Sequence, residues 1–353
     1  MLKFIPNENL KTKPDQTKLG FGNYFSDYML KVDFSPAEGW HNARIEPYGP
    51  FVLDPATNVL HYGQGVFEGL KAYRTANGKI RMFRPADNLK RMNRSNDYLC
   101  IPQFDVEQFL GYMLELVKKE QDWVPSEPGT SLYIRPTIIS TDVHLGVASS
   151  KTYCFFVILS PVGAYYSTGF KPIKILVDTE HVRAVPGGVG DAKTMGNYAA
   201  SLKAAKCAAD EGYNQVLWID GVERKYIEEV GSMNIAFVIN GKVVTPSLTG
   251  SFLQGITRDS VIKLSKDLGY TVEERRITLD EIVQRAQDGS MTECFGTGTA
   301  AVISAVNEIK VNDQIYKIGG ADAGPVAQKL YDTLTGIQYG KIADKFGWIV
   351  SVV

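Results

Sequence analysis

The sequence predicts an α+β protein of two domains, and three observations lead to this prediction. A chain of 353 residues is long for one domain, and 44% of the residues are hydrophobic, which is enough for two cores. Strand-like and helix-like runs alternate without the regular βαβ spacing of a doubly wound sheet. Residues 161–172, "PVGAYYSTGFKP", have the glycines, prolines and small polar residues of a linker.

These observations divide the chain at the linker-like segment. We expect a smaller α+β domain at residues 1–164 and an interdomain linker, with the entry to the second domain, at 165–182. A larger α+β domain carrying the lysine loop described below is expected at 183–353.

The first domain is predicted to contain short strands and amphipathic helices. The runs "GPFVLD" and "KIRMFR" have strand-like composition, and "YCFFVILS" is expected to be the strand that closes the domain. The stretch "FDVEQFLGYMLELVKK" predicts a helix, because Asp105 and Gln108 match a capping box and apolar residues recur at helical spacing. The apolar face of this helix consists of Phe109, Tyr112, Met113 and Leu116.

The second domain is predicted to begin with the strand "IKILVD". One helix is expected through "NYAASLKAAKCAADEG", then the strand "QVLWI", then a hairpin in "NIAFVINGKVVTP" that turns at Asn240 and Gly241. Two further helices are expected, each stopped by a glycine. One extends from Arg258 to about Leu268 before Gly269, and the other begins at Leu279 after a capping box of Thr278 and Glu281 and stops at Gly289.

The charge balance points to a small-molecule partner. The chain has 38 basic and 39 acidic residues and no long run of either sign, so neither a nucleic-acid surface nor a polybasic membrane patch is expected. The longest apolar run, "YCFFVILSPVGAYY", is too short to span a bilayer and is broken by Pro161. The first residues of the chain, "MLKFIPNENLKTKPDQTK", lack the apolar core of a signal peptide, so we expect a cytoplasmic protein.

The cysteines and histidines indicate neither disulfides nor a metal site. The four cysteines are far apart in sequence, as reduced core thiols often are, and the four histidines show no metal-ligand spacing. They are Cys100, Cys154, Cys207 and Cys294, and His41, His61, His144 and His181.

The stretch "PGGVGDAKTMGNYAAS" places Lys193 between glycines, with Tyr198 five residues later. One interpretation is a phosphate-binding loop, since residues 187–194 match the Walker pattern except for Ala192; against it, Arg183 and Pro186 separate the glycines from the preceding strand. A second interpretation is a solvated surface loop. A third is a lysine that forms a Schiff base with an aldehyde cofactor, for which close backbone approach gives the glycines a chemical reason.

A Schiff-base lysine that holds pyridoxal 5'-phosphate needs further groups, and the sequence offers a candidate for each. The cofactor requires an acid at its pyridine nitrogen and donors for its phosphate. Glu229 in "YIEEVGSMN" precedes a glycine turn, and "GITR" opens a helix whose free N–H groups suit a phosphate. The small-residue turn "FGTGTAA" is a second candidate for the phosphate.

Together these segments resemble a known family. "YGQGVFEG", "FRPADNLKRM", "YIRP", "GGVGDAKTMGNYA", "EEVGSMN", "GITR" and "FGTGTAA" occur in the order found in class IV, fold type IV, pyridoxal-phosphate aminotransferases, and the match extends from "FGNYFSDYML" to "IQYG". The resemblance implies the two-domain fold type IV aminotransferase-like architecture, pyridoxal 5'-phosphate as cofactor, and no metal.

The resemblance also assigns roles around the cofactor. Lys193 would carry it as a Schiff base and move a proton, Tyr198 would bind its ring oxygen, and Glu229 rather than Glu228 would bind its pyridine nitrogen. The phosphate ligands would be Arg91, the backbone of Ile256 and Thr257, and Thr299. Without the resemblance, "NLKRMNRS" is an ordinary amphipathic helix in which Arg91 would lie at the surface.

Within the family, "YIRP" with "FEG" and "VILSPVGAY" resembles branched-chain amino-acid aminotransferases more than D-amino-acid aminotransferases or aminodeoxychorismate lyases. This implies transamination of L-leucine, L-isoleucine and L-valine with 2-oxoglutarate, and a charge for glutamate at Arg135. The remaining substrate-binding residues would be Phe21, Tyr62, Phe67, Tyr133, Val147, Tyr165, Ser232 and Ala300.

Two further expectations follow from the resemblance. The family works as a homodimer in which the loop matching residues 142–147 reaches the partner's active site. Mammalian members carry a paired-cysteine redox switch where this chain has Ala301 and Ser304, so no such switch is expected. Ser232 replaces a threonine of some relatives and keeps the hydroxyl.

Overall fold

The computed structural model describes residues 1–163 and 170–353, and the chain divides into two compact units. The first unit comprises Met1–Ser167, Ala192–Met195 and Ile337–Val353, and the second comprises Thr168–Asp191 and Gly196–Gly336. Lys193 therefore groups with the first unit, whereas the sequence analysis placed it in the second domain.

The described residues form eighteen strands, which belong to two nine-stranded sheets. The strands are β1 Lys3–Phe4, β2 Tyr28–Ser35, β3 Gly39–Pro47, β4 Gly65–Phe67, β5 Leu70–Arg74, β6 Ile80–Phe83, β7 Ser131–Ser140, β8 Tyr153–Val162, β9 Ile173–Asp178, β10 Gln215–Ile219, β11 Ile227–Val230, β12 Met233–Ile239, β13 Lys242–Pro246, β14 Val272–Arg275, β15 Met291–Gly298, β16 Val302–Val311, β17 Gln314–Lys317 and β18 Ile349–Ser351.

Eight α-helices accompany these strands in the described parts of the chain. They are α1 Asn58–Tyr62, α2 Pro85–Tyr98, α3 Val106–Lys119, α4 Met195–Ala200, α5 Leu202–Asp210, α6 Ile256–Asp267, α7 Leu279–Gln287 and α8 Pro325–Gln338. Among the residues described, no helix has the length and apolar character needed to cross a membrane.

The sheet of the first unit is antiparallel except for the β1–β3 pair. Its order is β1-β3-β2-β8-β7-β5-β6-β18, with β4 on β7. Helices α2 and α3 supply apolar side chains to the same core as the central strands β7 and β8. The predicted apolar face of α3 is confirmed, since Phe109, Met113 and Leu116 are each at most 1% exposed.

The sheet of the second unit has the order β11-β10-β9-β16-β15-β12-β13-β14, with β17 on β16. An additional pairing of β11 with β12 closes six of these strands into a ring. Strand β9 lies between two parallel neighbours, β10 and β16, and α4 and α5 make the crossover from β9 to β10.

Local signals predicted several element boundaries correctly. The Asp105 carboxylate accepts the N–H of Gln108 at 2.6 Å at the start of α3. Thr278 accepts the N–H of Glu281 at 3.1 Å at the start of α7. Asn240 and Gly241 both have positive φ, 49° and 74°, in the hairpin between β12 and β13, as a two-residue turn requires.

Two predicted elements are wrong. The run "GPFVLD" is not a strand, because the chain leaves β3 at Pro47 and then meets Pro50, which has no N–H to donate to a sheet, while Val52 is 98% exposed. The helix expected through residues 197–212 is two helices, since α4 ends at Ala200 and α5 begins at Leu202. Ser201 lies between them, and its hydroxyl donates to the Tyr198 carbonyl at 2.8 Å, a local bond that competes with the helix.

Candidate active site

The backbone of Lys193 is held on both sides within the first unit. Its N–H donates to Ser95 Oγ at 2.8 Å, its carbonyl accepts the Phe67 N–H at 3.1 Å, and Thr194 forms a β-bridge with Val66. The half-buried side chain extends over Phe67, with Nζ 5.0 Å from the ring centroid. These contacts argue against both alternative interpretations: the backbone of Lys193 is paired on both sides rather than loose at the surface, and its N–H donates to Ser95 instead of being available to a phosphate.

A buried ion pair lies beside this lysine. Glu68, which is fully buried, accepts Arg91 Nε at 2.7 Å and Arg91 Nη2 at 2.8 Å, and Asn88 Nδ2 donates to it at 2.8 Å. Burial raises the pKa of the Glu68 carboxyl, but the Arg91 guanidinium, the Lys193 charge and the Asn88 hydrogen bond together outweigh burial, so the pKa is lowered. Arg91 is only 5% exposed, so the surface position expected without the resemblance is wrong.

Strand β7 presents Tyr133 and Arg135 on one face, because residues two apart in a strand point the same way. The Arg135 guanidinium lies 4.8 Å from the ring centroid of Phe67 and 5.2 Å from that of Tyr133, and its Nη2 donates to Tyr133 Oη at 3.1 Å. Phe21 meets Tyr133 edge-on at 5.0 Å. Arg135 Nε is buried and has no hydrogen-bond partner among the described residues.

Gly69 fits closely against Tyr133. A Cβ atom at position 69 would lie 1.9 Å from Tyr133 Oη and 2.8 Å from Cζ of the same ring. Any side chain there would push the phenol away from Arg135. The position of the Tyr133 ring therefore depends on a glycine at 69.

The remaining predicted substrate residues of the first unit lie at its surface or outside the described residues. Tyr62 is 43% exposed and its hydroxyl donates to the carbonyl of Leu145. Val147, in the loop at residues 142–147, is 85% exposed. Tyr165 lies outside the described residues.

In the second unit, Glu229 extends from β11 into a set of polar partners. Arg183 Nε lies 3.0 Å from Glu229 Oε2, and Asn234 Nδ2 donates to Glu229 Oε1 at 3.1 Å. The preceding residue, Glu228, points to the other face of the strand and accepts the hydroxyl of Ser251. Burial raises the pKa of Glu228, and its Oε2 has no partner in the described structure. The carboxylates of Glu228 and Glu229 therefore lie on opposite faces of β11 and contact different partners.

Asn234 also connects Glu229 to the start of α6. Its Nδ2 donates to the Leu253 carbonyl at 2.9 Å, and a Cβ at Gly255 would lie 1.9 Å from its Oδ1. Gly255 is the N-cap of α6 and provides no side chain to cap the helix, which begins with Ile256 and Thr257. A helix start of this kind binds anions through its N–H groups and dipole.

The other predicted residues of the second unit lie in turns or on α4. Thr299 and Ala300, both partly buried, form the turn between β15 and β16. Ser232 is exposed in the turn between β11 and β12, and Tyr198 is partly buried on α4.

The sequence analysis missed four residues that support these groups: Glu68, Asn88, Arg183 and Asn234. Glu68 contacts the predicted residue Arg91, Arg183 and Asn234 contact the predicted residue Glu229, and Asn88 contacts Glu68. Glu68 and Asn234 were within recognised motifs, "YGQGVFEG" and "EEVGSMN", but no signal in the sequence identifies their partners. An acidic residue next to the apolar "GVF" run was the available hint for Glu68, since a buried charge requires a partner.

Comparison with known proteins identifies the family. The model of amino-transferase class IV matches residues 65–309, which is more than half of the chain. The chain therefore belongs to the class IV aminotransferases, a family that depends on pyridoxal phosphate. The resemblance inferred from the motifs is confirmed.

Two relatives from Bacillus subtilis (strain 168) match nearly the whole chain. Branched-chain-amino-acid aminotransferase 2 is 56% identical over 342 residues, which are 97% of this chain and 94% of the relative. Branched-chain-amino-acid transaminase 1 is 53% identical over 356 residues, with both chains fully covered.

Solved structures of lower sequence identity share the fold. The branched-chain amino acid aminotransferase of Escherichia coli superposes with a TM-score of 0.77 at 28% identity, covering 93% of this chain and 99% of that one. The T.th. branched-chain amino acid aminotransferase complexed with N-(5'-phosphopyridoxyl)-L-glutamate has a TM-score of 0.73 at 29% identity, covering 92% and 98%. The expected α+β, fold type IV architecture is confirmed.

Proposed function

We propose that this protein transfers the amino group of L-leucine, L-isoleucine and L-valine to 2-oxoglutarate, giving the branched-chain 2-oxo acids and L-glutamate. The observation that carries this proposal is the similarity to branched-chain aminotransferases over the full chain, at 53% identity with complete coverage of both proteins. The names of these relatives give the reaction and the substrate class. The T.th. structure is complexed with a phosphopyridoxyl derivative of glutamate, the second substrate in our proposal.

The residues present fit pyridoxal 5'-phosphate. Lys193 has a fixed backbone and a half-buried amine. Helix α6 begins after Gly255, which has no side chain to cap the helix. A phosphate can therefore approach the backbone of Ile256 and Thr257. Glu229 is a buried carboxylate with a polar partner at each oxygen. We propose that the cofactor is bound by Lys193, Tyr198, Glu229, Arg91, Ile256, Thr257 and Thr299.

When bound, the cofactor supplies an aldehyde that captures the substrate amine and a ring that withdraws electrons from Cα. Lys193 would hold the cofactor through its side-chain amine and, when that amine is free, would serve as the general base for the proton at the substrate Cα. Its fixed backbone confines movement to the side chain. Glu229 would accept a hydrogen bond from the protonated ring nitrogen, and Arg91, oriented by Glu68, would contribute positive charge for the phosphate.

The wall formed by Phe21, Phe67 and Tyr133 suits a branched apolar side chain, while Arg135 suits the second carboxylate of glutamate. Arg135 Nε is buried without a partner in the described structure, as expected for a donor that a substrate carboxylate completes. We propose that the substrate site is completed by Tyr62, Val147, Tyr165, Ser232 and Ala300.

We further propose that the protein is a homodimer. The loop at residues 142–147 exposes Val143, Leu145 and Val147 by 59%, 61% and 85%, and exposed apolar side chains of this kind mark interaction surfaces. In the family the matching loop reaches the active site of the partner subunit.

A cytoplasmic location is also proposed. All four cysteines lie among the described residues and none is paired with another. Burial raises the pKa of the Cys154 thiol to about 12 and raises the pKa of Cys294 as well, so both behave as inert core thiols of a reduced protein.

A panel of amino donors with 2-oxoglutarate tests the proposed reaction. L-leucine, L-isoleucine and L-valine should each yield glutamate, and the purified protein should show the visible absorption of a bound pyridoxal phosphate Schiff base. Lys193→Ala should abolish both the turnover and the absorption band. Lys206→Ala is the control, because Lys206 is exposed on α5 and its side chain bonds Asp210 alone among the described residues. Turnover of D-amino acids alone, or normal turnover by Lys193→Ala, would contradict the proposal.

A further inference from the structure

Arg183 is a buried cation at the centre of the second unit's polar network. Its side chain is 8% exposed, and its Nε lies 3.0 Å from Oε2 of Glu229, itself 4% exposed in its side chain. A buried charge that is not required for function is costly to keep, because its pair seldom repays the loss of hydration. The position of this pair therefore calls for an explanation.

The other contacts of Arg183 connect it to two loops. Its Nη2 donates to the carbonyl of Gly190 at 2.8 Å and to the carbonyl of Ser251 at 2.8 Å. Gly190 itself packs against Ser251 so closely that a Cβ at position 190 would lie 2.1 Å from the Ser251 oxygen. One guanidinium thus fixes Glu229, the glycine-rich loop that precedes Lys193, and the loop that contains Ser251.

The Glu229 carboxylate has a polar partner at each oxygen. Arg183 Nε forms an ion pair with Oε2 at 3.0 Å without an aligned hydrogen bond, and Asn234 donates a hydrogen bond to Oε1, so the carboxylate is contacted from two sides. A carboxylate has about four lone-pair positions, so one that pairs with Arg183 and Asn234 can also accept a ring N–H. Burial disfavours the charged form of a carboxyl, and the adjacent guanidinium offsets that effect.

We propose that Arg183 is a positioning residue for the reaction. It holds Glu229 charged and in the orientation in which that carboxylate accepts the ring nitrogen of pyridoxal phosphate. This inference rests on the proposed function, since it assumes that Glu229 binds the cofactor. Through its bonds to Gly190 and Ser251, Arg183 couples the orientation of Glu229 to the loop before Lys193.

A double-mutant cycle between Arg183 and Glu229 tests the proposal. The four proteins are wild type, Arg183→Met, Glu229→Gln and the double variant. Each apoprotein is titrated with pyridoxal 5'-phosphate to obtain Kd, the pH dependence of the visible band of each loaded protein is recorded, and thermal unfolding of each apoprotein is measured. Arg276→Met is the matched control, because Arg276 forms an exposed pair with Glu223 at 2.7 Å in the same unit.

Arg183→Met should raise the Kd at least tenfold and move the pH profile of the visible band. Adding Arg183→Met to Glu229→Gln should change the Kd less than about threefold, because the two residues act through one carboxylate. Arg276→Met should leave the Kd and the profile unchanged. If Arg183→Met fails to fold, Arg183→Lys takes its place in the cycle. Lysine keeps the positive charge but lacks the several N–H donors of the guanidinium, so it should give a smaller shift of the pH profile of the visible band.

Two results would overturn the proposal. In the first, the effects of Arg183→Met and Glu229→Gln on the Kd multiply in the double variant. In the second, Arg183→Met lowers only the unfolding temperature and leaves the pH profile in place, as a purely structural residue would. If the wild-type protein transaminates leucine but the effects of the two substitutions on the Kd multiply, only the role proposed for Arg183 is refuted. A wild-type protein that binds no pyridoxal phosphate rejects the proposed function together with this inference.

Discussion

Replacing Arg135 by methionine should damage the half-reaction with glutamate far more than the half-reaction with leucine. Methionine is the suitable substitute because the guanidinium packs at 4.8 Å and 5.2 Å from the Phe67 and Tyr133 ring centroids. Alanine would remove this packing and alter the apolar wall that we propose for both substrates. Methionine keeps much of the volume and removes only the charge and the donors.

The magnitude follows from the contacts of Arg135. A hydrogen bond to a charged group contributes about 1.5–3 kcal/mol, and about 1.4 kcal/mol corresponds to tenfold, so the glutamate reaction should lose about ten- to 150-fold. The lost cation–π contacts are worth about 0.5–1 kcal/mol each and affect both substrates alike. Leucine has no second carboxylate, so its loss should be smaller by at least about tenfold.

Single-turnover kinetics with each amino acid measure the two half-reactions separately, because the bound cofactor changes its absorption as the amino group is transferred. Arg74→Met is the control, since Arg74 is partly buried on the same sheet and donates only to backbone carbonyls, those of Val124, Gly78 and Gln121. Equal losses on both substrates would refute the reasoning. Arg135 would then organise the common α-carboxylate site, and another residue would recognise glutamate.

Glu229→Gln should lower turnover by about tenfold or more, since a charged acceptor is lost, while Glu228→Gln should have a much smaller effect; the reverse order in steady-state assays would mean that the acid was assigned wrongly. Glu68→Gln should reduce the free energy of unfolding in urea at pH 7 by about 3–5 kcal/mol, because it leaves Arg91 buried without its counter-charge. The lowered pKa of Glu68 means that this contribution is present above the unfolded value of 4.5 and is lost as pH falls through the folded value, so wild type and variant should converge in acid. Asp220→Asn should cost about 1.5–3 kcal/mol by the same measurement, since its carboxylate accepts four backbone N–H groups between 2.6 and 3.2 Å, those of residues 222, 223, 225 and 226; an unchanged urea midpoint would contradict this.

The parts of the fold that could be predicted are those fixed by neighbours in sequence. The caps of α3 and α7 and the turn at Asn240 and Gly241 depend on residues that are close together along the chain. The break at Ser201 is also local, but its signal was masked by the strong helix formers on either side. The strand predicted at "GPFVLD" failed because its apolar residues resemble a strand while Pro50 prevents pairing.

The candidate site was predictable in its motifs but not in the contacts that support them. Lys193, Glu229 and Arg91 lie in short segments whose order is diagnostic of the family. Their supporting partners are distant in sequence: Glu68 is 23 residues from Arg91, and Arg183 is further still from Glu229. Nothing local distinguishes a buried arginine on a helix from an exposed one, so the burial of Arg91 could be seen only in the structure.

The close fit of Gly69 to Tyr133 has a consequence for redesigning this protein. Directed evolution toward larger or more polar amino donors would naturally randomise the residues proposed to face the substrate, Tyr133 among them. Gly69, beside the neighbouring strand β5, leaves the space that the Tyr133 phenol occupies. A library that varies position 69 but keeps tyrosine at 133 will therefore consist mostly of proteins in which the Tyr133 ring is displaced. Positions 69 and 133 must therefore be varied together. A smaller side chain at 133 permits alanine at 69, whereas tyrosine at 133 requires glycine at 69.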